Sequence, residues 1–183
     1  MCEQMVVEYC SPTLAGLKTG SLFSFRYEGR ECLLRELREI NNKLRGKGVI
    51  VIPVRIKEHI ALIYVYRPDR LRRDLENEEV GALLKAYGYN TRSEGDCILH
   101  LIRRLKKEQF PHEIGLFLGY PPEDVKGFIE NGAEGEKYIG IWKVYGDVEH
   151  SIRLFEKYKK CTMVYRNMYQ HGMSIERLAM KAL

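Results

Sequence analysis

Residues 49–66 constrain this chain more than any other stretch. Two runs rich in β-branched side chains, 49–56 and 60–66, flank Lys57, Glu58 and His59. Val and Ile are stiff at χ1 and pack well on a pleated surface, whereas a charged triplet between two such runs suits a turn. The pattern predicts a β-hairpin at the centre of a sheet. It argues against a membrane-spanning helix, because Pro53, Arg55, Lys57, Glu58 and His59 interrupt the longest apolar region, and a span needs roughly 18–20 apolar residues.

Strands over residues 21–27 and 138–145 are expected to accompany the hairpin. A helix over 12–18 is predicted from Ser11 and Pro12, which suit a cap and a first helical position. Leu33, Leu34, Leu37, Ile40 and Leu44 mark one face of a helix between Gly29 and Gly46. Further helices are read over 69–75 after Pro68, 78–87 before Gly88, 96–107 and 113–118. After Asp147 a long helix runs to Gly172 with the stripe Leu154, Tyr158, Cys161, Tyr165 and Met168, and Ser174 caps a short last helix. The expectation is a single α+β domain over residues 1–183, with about four mostly antiparallel strands packed against a layer of helices. A domain of this length buries about 70% of its unfolded surface and needs no covalent staples.

Thirty Lys and Arg against 25 Asp and Glu give a net charge of +5, an excess that permits contact with phosphates without requiring it. The basic runs Arg67, Arg70, Arg72, Arg73 and Arg103, Arg104, Lys106, Lys107 read as solvated helix faces. Five cysteines, an odd number, fit a reducing compartment better than a disulfide framework. Residues 1–9 carry Glu3 and Glu8 and lack the basic start of a secretory leader, so a cytoplasmic protein with no membrane partner is expected.

Cys10 is the leading candidate for a functional thiol, because a thiol beside a helix N-terminus is favoured as thiolate and Lys18 adds to that field. His112, after Pro111, is the candidate base, and the pair would suit a cysteine-dependent hydrolase or transferase. Lys18, Glu113 and Tyr120 are the candidate ligand-binding residues around them. Cys97 and His100 stand three apart on a predicted helix, but no second ligand pair accompanies them, so no metal site is expected. Cys97 and Cys161 fall in apolar stripes, Cys32 adjoins one and Cys2 lies near the terminus. Residues 114–129 fit a helix-turn-helix template, with Gly119 at the turn. Glu123 and Asp124 would then open the recognition helix, where carboxylates repel phosphate, and specific DNA binding is not expected. Phosphate-binding glycine loops and a GxSxG elbow are absent from the sequence.

Four segments carry a resemblance: Cys10-Ser-Pro-Thr-Leu-Ala-Gly-Leu-Lys18, Leu62-Ile-Tyr-Val-Tyr-Arg-Pro68, Phe110-Pro-His-Glu-Ile-Gly-Leu-Phe-Leu-Gly-Tyr-Pro121 and Trp142-Lys-Val-Tyr-Gly-Asp147. Together with Lys160-Cys161 and Val164-Tyr165 they resemble the bacterial domain-of-unknown-function 3793 family. The resemblance implies a bacterial cytosolic protein and supplies neither an activity nor a cofactor. The leading expectation is small-molecule or cofactor binding with a functional thiol at Cys10. The alternatives are a helix-turn-helix regulator using 114–129 and a protein-interaction module without catalysis.

Overall fold

The structure, a computed structural model, describes residues 2–107, 109–132 and 134–181. The chain is α+β and divides into two compact units, Met1–Arg70 with Lys160–Leu183, and Leu71–Lys159. Among the described residues there are five strands rather than four, in two antiparallel sheets. No described helix is long and apolar enough to cross a membrane.

The first unit holds helices α1 (Cys2–Leu14) and α2 (Arg30–Leu44), strands β1 (Gly20–Arg26), β2 (Ile50–Lys57) and β3 (Ile60–Tyr66), and, past the second unit, the end of the long helix α8 (Val148–Gln170) and the short α9 (Ile175–Leu178). The hairpin forms as its composition predicts, with Lys57 opposite Ile60 and Glu58 in the left-handed region at φ 52°. The sheet order is β1-β3-β2, so only the second arm of the hairpin is central. Every β3 residue except Ile60 is buried, as a strand paired on both sides requires. β2 is an edge, and it carries the marks of one: Pro53, which has no N–H to donate, and a register shift between Pro53 and Arg55. Asn41 of α2 covers part of that edge, its side chain accepting from the Val51 N–H at 2.8 Å and donating to the Val51 carbonyl at 2.7 Å.

One face of the sheet, Ala61, Ile63 and Val65, packs in a core with Val6, Val7, Cys10 and Leu14 of α1, Leu33, Leu37, Ile40 and Leu44 of α2, and Ile175 and Leu178 of α9. Here the helix expected over 12–18 is corrected. α1 lies upstream, with Pro12 inside its last turn, and Gly16 at φ 71° follows its end. The buried positions 6, 7, 10 and 14 are one helical stripe, and burying it outweighs the backbone donor lost at Pro12.

The second unit is mainly helical: α3 (Pro68–Glu76, which begins just before the unit does), α4 (Glu78–Ala86), α5 (Glu94–Leu105), α6 (Ile114–Phe117), α7 (Pro122–Asn131) and the start of α8. The single strand expected over 138–145 is instead a small hairpin, β4 (Tyr138–Ile139) and β5 (Lys143–Val144), with Tyr138 opposite Val144. Its tip turns at Gly140, where a Cβ would stand 2.0 Å from the Phe155 ring, so only glycine fits. Of the stripe expected on α8, Tyr158 is buried and Leu154, Cys161 and Tyr165 are half-buried. Ser151, Phe155 and Tyr158 are buried, while Met168 is exposed.

Arg67, expected on a solvated face, is 3% exposed. Its Nε donates to the Thr13 carbonyl at 2.6 Å, and its Nη2 to Leu14 at 2.5 Å and Met180 at 2.8 Å. Its Nη1 reaches the Lys47 carbonyl at 3.2 Å. The guanidinium thus takes up carbonyls that α1 leaves orphaned at its C-terminus, where a cation is also favoured by the helix dipole. Arg67→Met should lower the stability of this unit by about 3–5 kcal/mol, because it strips several buried acceptors of a charged donor. Urea unfolding should show that loss, and Arg67→Lys should recover little of it, since one ammonium lacks the planar fork that spans these acceptors.

Candidate functional site

The segment from residue 110 to 130 folds as a tight corner. α6 ends at Gly119, whose φ of 71° suits glycine, and Pro121 and Pro122 lead into α7. The two helices approach so closely that a Cβ on Gly115 would lie 2.7 Å from Val125 Cγ2 and 3.2 Å from the Tyr120 ring. Asp124, in the first turn of α7, is 2% exposed and holds the β4–β5 hairpin against this corner. It accepts from the Trp142 indole N–H at 2.7 Å, the Tyr145 N–H at 2.7 Å, the Gly146 N–H at 2.8 Å and the Ser151 hydroxyl at 3.4 Å. A buried carboxylate so supplied with donors is a fixed point, since removing one partner exposes the full cost of desolvation.

Trp142 is consequently held still, stacked on Tyr120 with ring centroids 4.5 Å apart and edge-on to Phe155 at 4.4 Å. Between hairpin and corner lies a pocket of about 430 Å³ lined by Phe110, His112, Leu118, Tyr120, Phe128, Trp142 and Lys143, among others. Its polar groups are few. His112 is exposed, its ring edge-on to Phe128 at 4.9 Å. Lys143 is half-buried and pairs with Glu136 at 2.8 Å. Burial, with Tyr158 as the lesser cause, pushes the Tyr120 phenol up to about 12, so it remains a neutral donor and acceptor. The pocket is thus apolar-walled, with few polar groups.

Of the residues picked out from the sequence, His112 and Tyr120 meet in this pocket. Glu113 does not line it. It is 1% exposed and bound to Arg104 Nε at 2.7 Å and the Tyr89 hydroxyl at 3.0 Å. That corrects the reading of Glu113 as a ligand-binding group and of Arg104 as part of a solvated run. Burial, and then Glu113 itself, raise the Tyr89 phenol far above its ordinary value.

Cys10 and Lys18 belong to the other unit. Cys10 sits within α1 and not ahead of a helix, which removes the helix-dipole argument for an activated thiolate. It is fully buried. Lys18 is 8% exposed and beside it: burial depresses the lysine to about 8, opposed by the charge of Cys10. Cys97 is likewise buried and donates to the Asn90 carbonyl at 3.2 Å. Burial, aided by Asp96 and Glu94, pushes it up to about 11. His100 packs on the Tyr89 ring at 4.2 Å.

Sequence reasoning missed Trp142, Lys143, Phe110 and Phe128 as pocket residues and Asp124 as the anchor. Trp142 is the single tryptophan of the chain, and that alone marked it for attention. Asp124 was noticed only as a charge facing an absent phosphate. Its inward direction depends on three donors 18 to 22 residues later, which no local pattern announces.

Fold and pocket together define an α+β protein whose smaller hairpin and helical corner enclose an aromatic cavity. The chain belongs to the family described as Protein of unknown function (DUF3793), which matches residues 6–179. A curated relative, the Holliday junction branch migration complex subunit RuvA of Oleidesulfovibrio alaskensis, is 34% identical over 82 residues, covering 45% of this chain and 41% of that protein. The chain therefore spans about two fifths of that relative's length. No solved structure matches.

Asp124→Ala should cost about 3 kcal/mol by leaving buried N–H groups without an acceptor, and should shift the emission of Trp142 to the red as the hairpin loosens. Lys18 gives a prediction with a sign. Its pKa is about 8 in the fold against an ordinary 10.5, so between those values the unfolded chain holds more protons and stability rises with pH. The rise contributed by this group is about 3 kcal/mol. Urea unfolding of the natural protein and of Lys18→Met at pH 7.5 and pH 10 should show the difference between them closing or reversing by about 2 kcal/mol, the part of that rise falling in this window.

Proposed function

We propose that this protein binds a small organic molecule in the aromatic pocket of the second unit, in the bacterial cytoplasm. One observation carries the reading: a cavity of about 430 Å³ whose walls are held by the Asp124 hydrogen bonds. A preformed apolar pocket needs little ordering on binding, and the ligand gains most of the apolar surface it buries. Among the described residues Cys10, Cys32, Cys97 and Cys161 are not joined in disulfides, which supports a reducing compartment. The proposal does not rest on a Cys10–His112 pair.

Because Trp142 is both the sole tryptophan and part of the pocket wall, its emission reports occupancy directly. Native mass spectrometry of protein purified from its source should show an added mass, and removal of that mass should change Trp142 fluorescence. Protein that carries no added mass, and whose emission ignores a broad metabolite panel, would leave the pocket as packing space only.

The partial likeness to a RuvA subunit supports a second reading, DNA binding through the α6–α7 corner. Against it, the exposed Glu123 stands in the first turn of α7, and the exposed Lys126 lies 4.0 Å from Glu130. A gel-shift series should show only weak, salt-sensitive binding with no sequence preference. A specific shift abolished by Lys126→Ala would put the DNA reading first.

A further inference from the structure

We infer that the ligand of this pocket is a flat aromatic molecule bearing one anionic group, received by Lys143. The inference rests on the small-molecule reading and names the class of molecule. Flatness follows from the walls. The pocket is bounded by the rings of Phe110, His112, Tyr120, Phe128 and Trp142, and ring pairs gain from offset and edge-to-face contact that a flexible chain cannot supply in the same way.

The sign of the charge is the harder question, because the negative face of an aromatic ring favours a cation and an aromatic cage would ordinarily suggest one. Here the ionisable groups of the lining decide otherwise. Among the described residues its one lining carboxylate, Asp124, is buried and accepts from four protein donors, so its oxygens are already engaged within the protein. Lys143 and His112 then remain as the groups facing a ligand, and a cation would have to sit beside an ammonium. Lys143 is paired with Glu136, but that pair is partly solvated, with side chains 26% and 19% exposed. The ammonium has three donors on a flexible stem, so a ligand carboxylate can join Glu136 among its acceptors. The charged group must lie at this end of the pocket, since elsewhere it would meet ring faces that repel it.

A matched set of probes tests this by titration calorimetry: indoleacetate, its neutral counterpart indoleacetamide, and the cation tryptamine. Indoleacetate should bind at least about tenfold more tightly than the amide, the size of one charge-assisted hydrogen bond, and tryptamine most weakly. Lys143→Met should cut indoleacetate affinity at least about tenfold and erase the preference for the anion, and Lys143→Arg should restore it. Unchanged Trp142 emission in the unliganded variants checks that the pocket is intact. Equal affinity for acetate and amide would overturn the anion while the small-molecule reading stands, and tightest binding of tryptamine would reverse the charge. Failure of all three probes at millimolar concentration would overturn the aromatic class, and the native-mass measurement would then decide whether the pocket binds anything.

Discussion

A guanidinium with almost no exposed surface, that of Arg67, joins the parts of the first unit that are farthest apart in sequence. It follows the central strand directly, so its position is dictated by β3, and from there it reaches the end of α1, the turn after α2 and the backbone at Met180. Burial, then the neighbouring Arg70, hold its pKa below the ordinary guanidinium value, yet an arginine stays charged in any ordinary protein setting. A buried cation must be surrounded by acceptors, and these acceptors are carbonyls from three separate segments. The charge is therefore less a source of stability than a condition on arrangement, since the sheet, α1 and the C-terminal segment must all be in place before it is satisfied.

The second unit solves a related problem with the opposite sign. Asp124 collects an indole, two backbone N–H groups and a hydroxyl, and by doing so makes a wall from a hairpin whose strands are only two residues long. So short a hairpin would not persist alone in water. Rigidity of the pocket is thus inherited from one carboxylate, and Gly115, Gly140 and Gly146 allow the close approaches that this anchoring demands.

How much of this was legible follows the range of the forces involved. The β2–β3 hairpin, α2 and α4 were readable because β-branched runs, a 3.6-residue stripe and turn residues act locally. The helix α1 was misplaced because Pro12 was weighed as a start, although Val6, Val7, Cys10 and Leu14 already spelled a helical face. The region around residues 138–145 read as one strand because its apolar content is that of a strand. Its division depends on Gly140 meeting Phe155, a contact invisible in sequence. Arg67 and Arg104 were read as solvated on charge, Glu113 as a ligand-binding group and Asp124 as a charge facing phosphate, and all four instead make bonds beyond their own elements. His112 and Tyr120 were selected for their chemistry and do share a pocket. Cys10 was selected on a helix boundary that moved.

The first unit is discontinuous: its core is closed by Ile175, Leu178 and Ala179, which follow the whole of the second unit. During synthesis from the N-terminus, the three-stranded sheet leaves the ribosome with one flank uncovered and waits while some ninety residues of intervening chain are made, several seconds at ordinary elongation rates. The later unit is contiguous and can close first. A nascent chain of this kind thus exposes the apolar face of its oldest part longest, and its dependence on chaperones or on fast completion is written into the order of its segments.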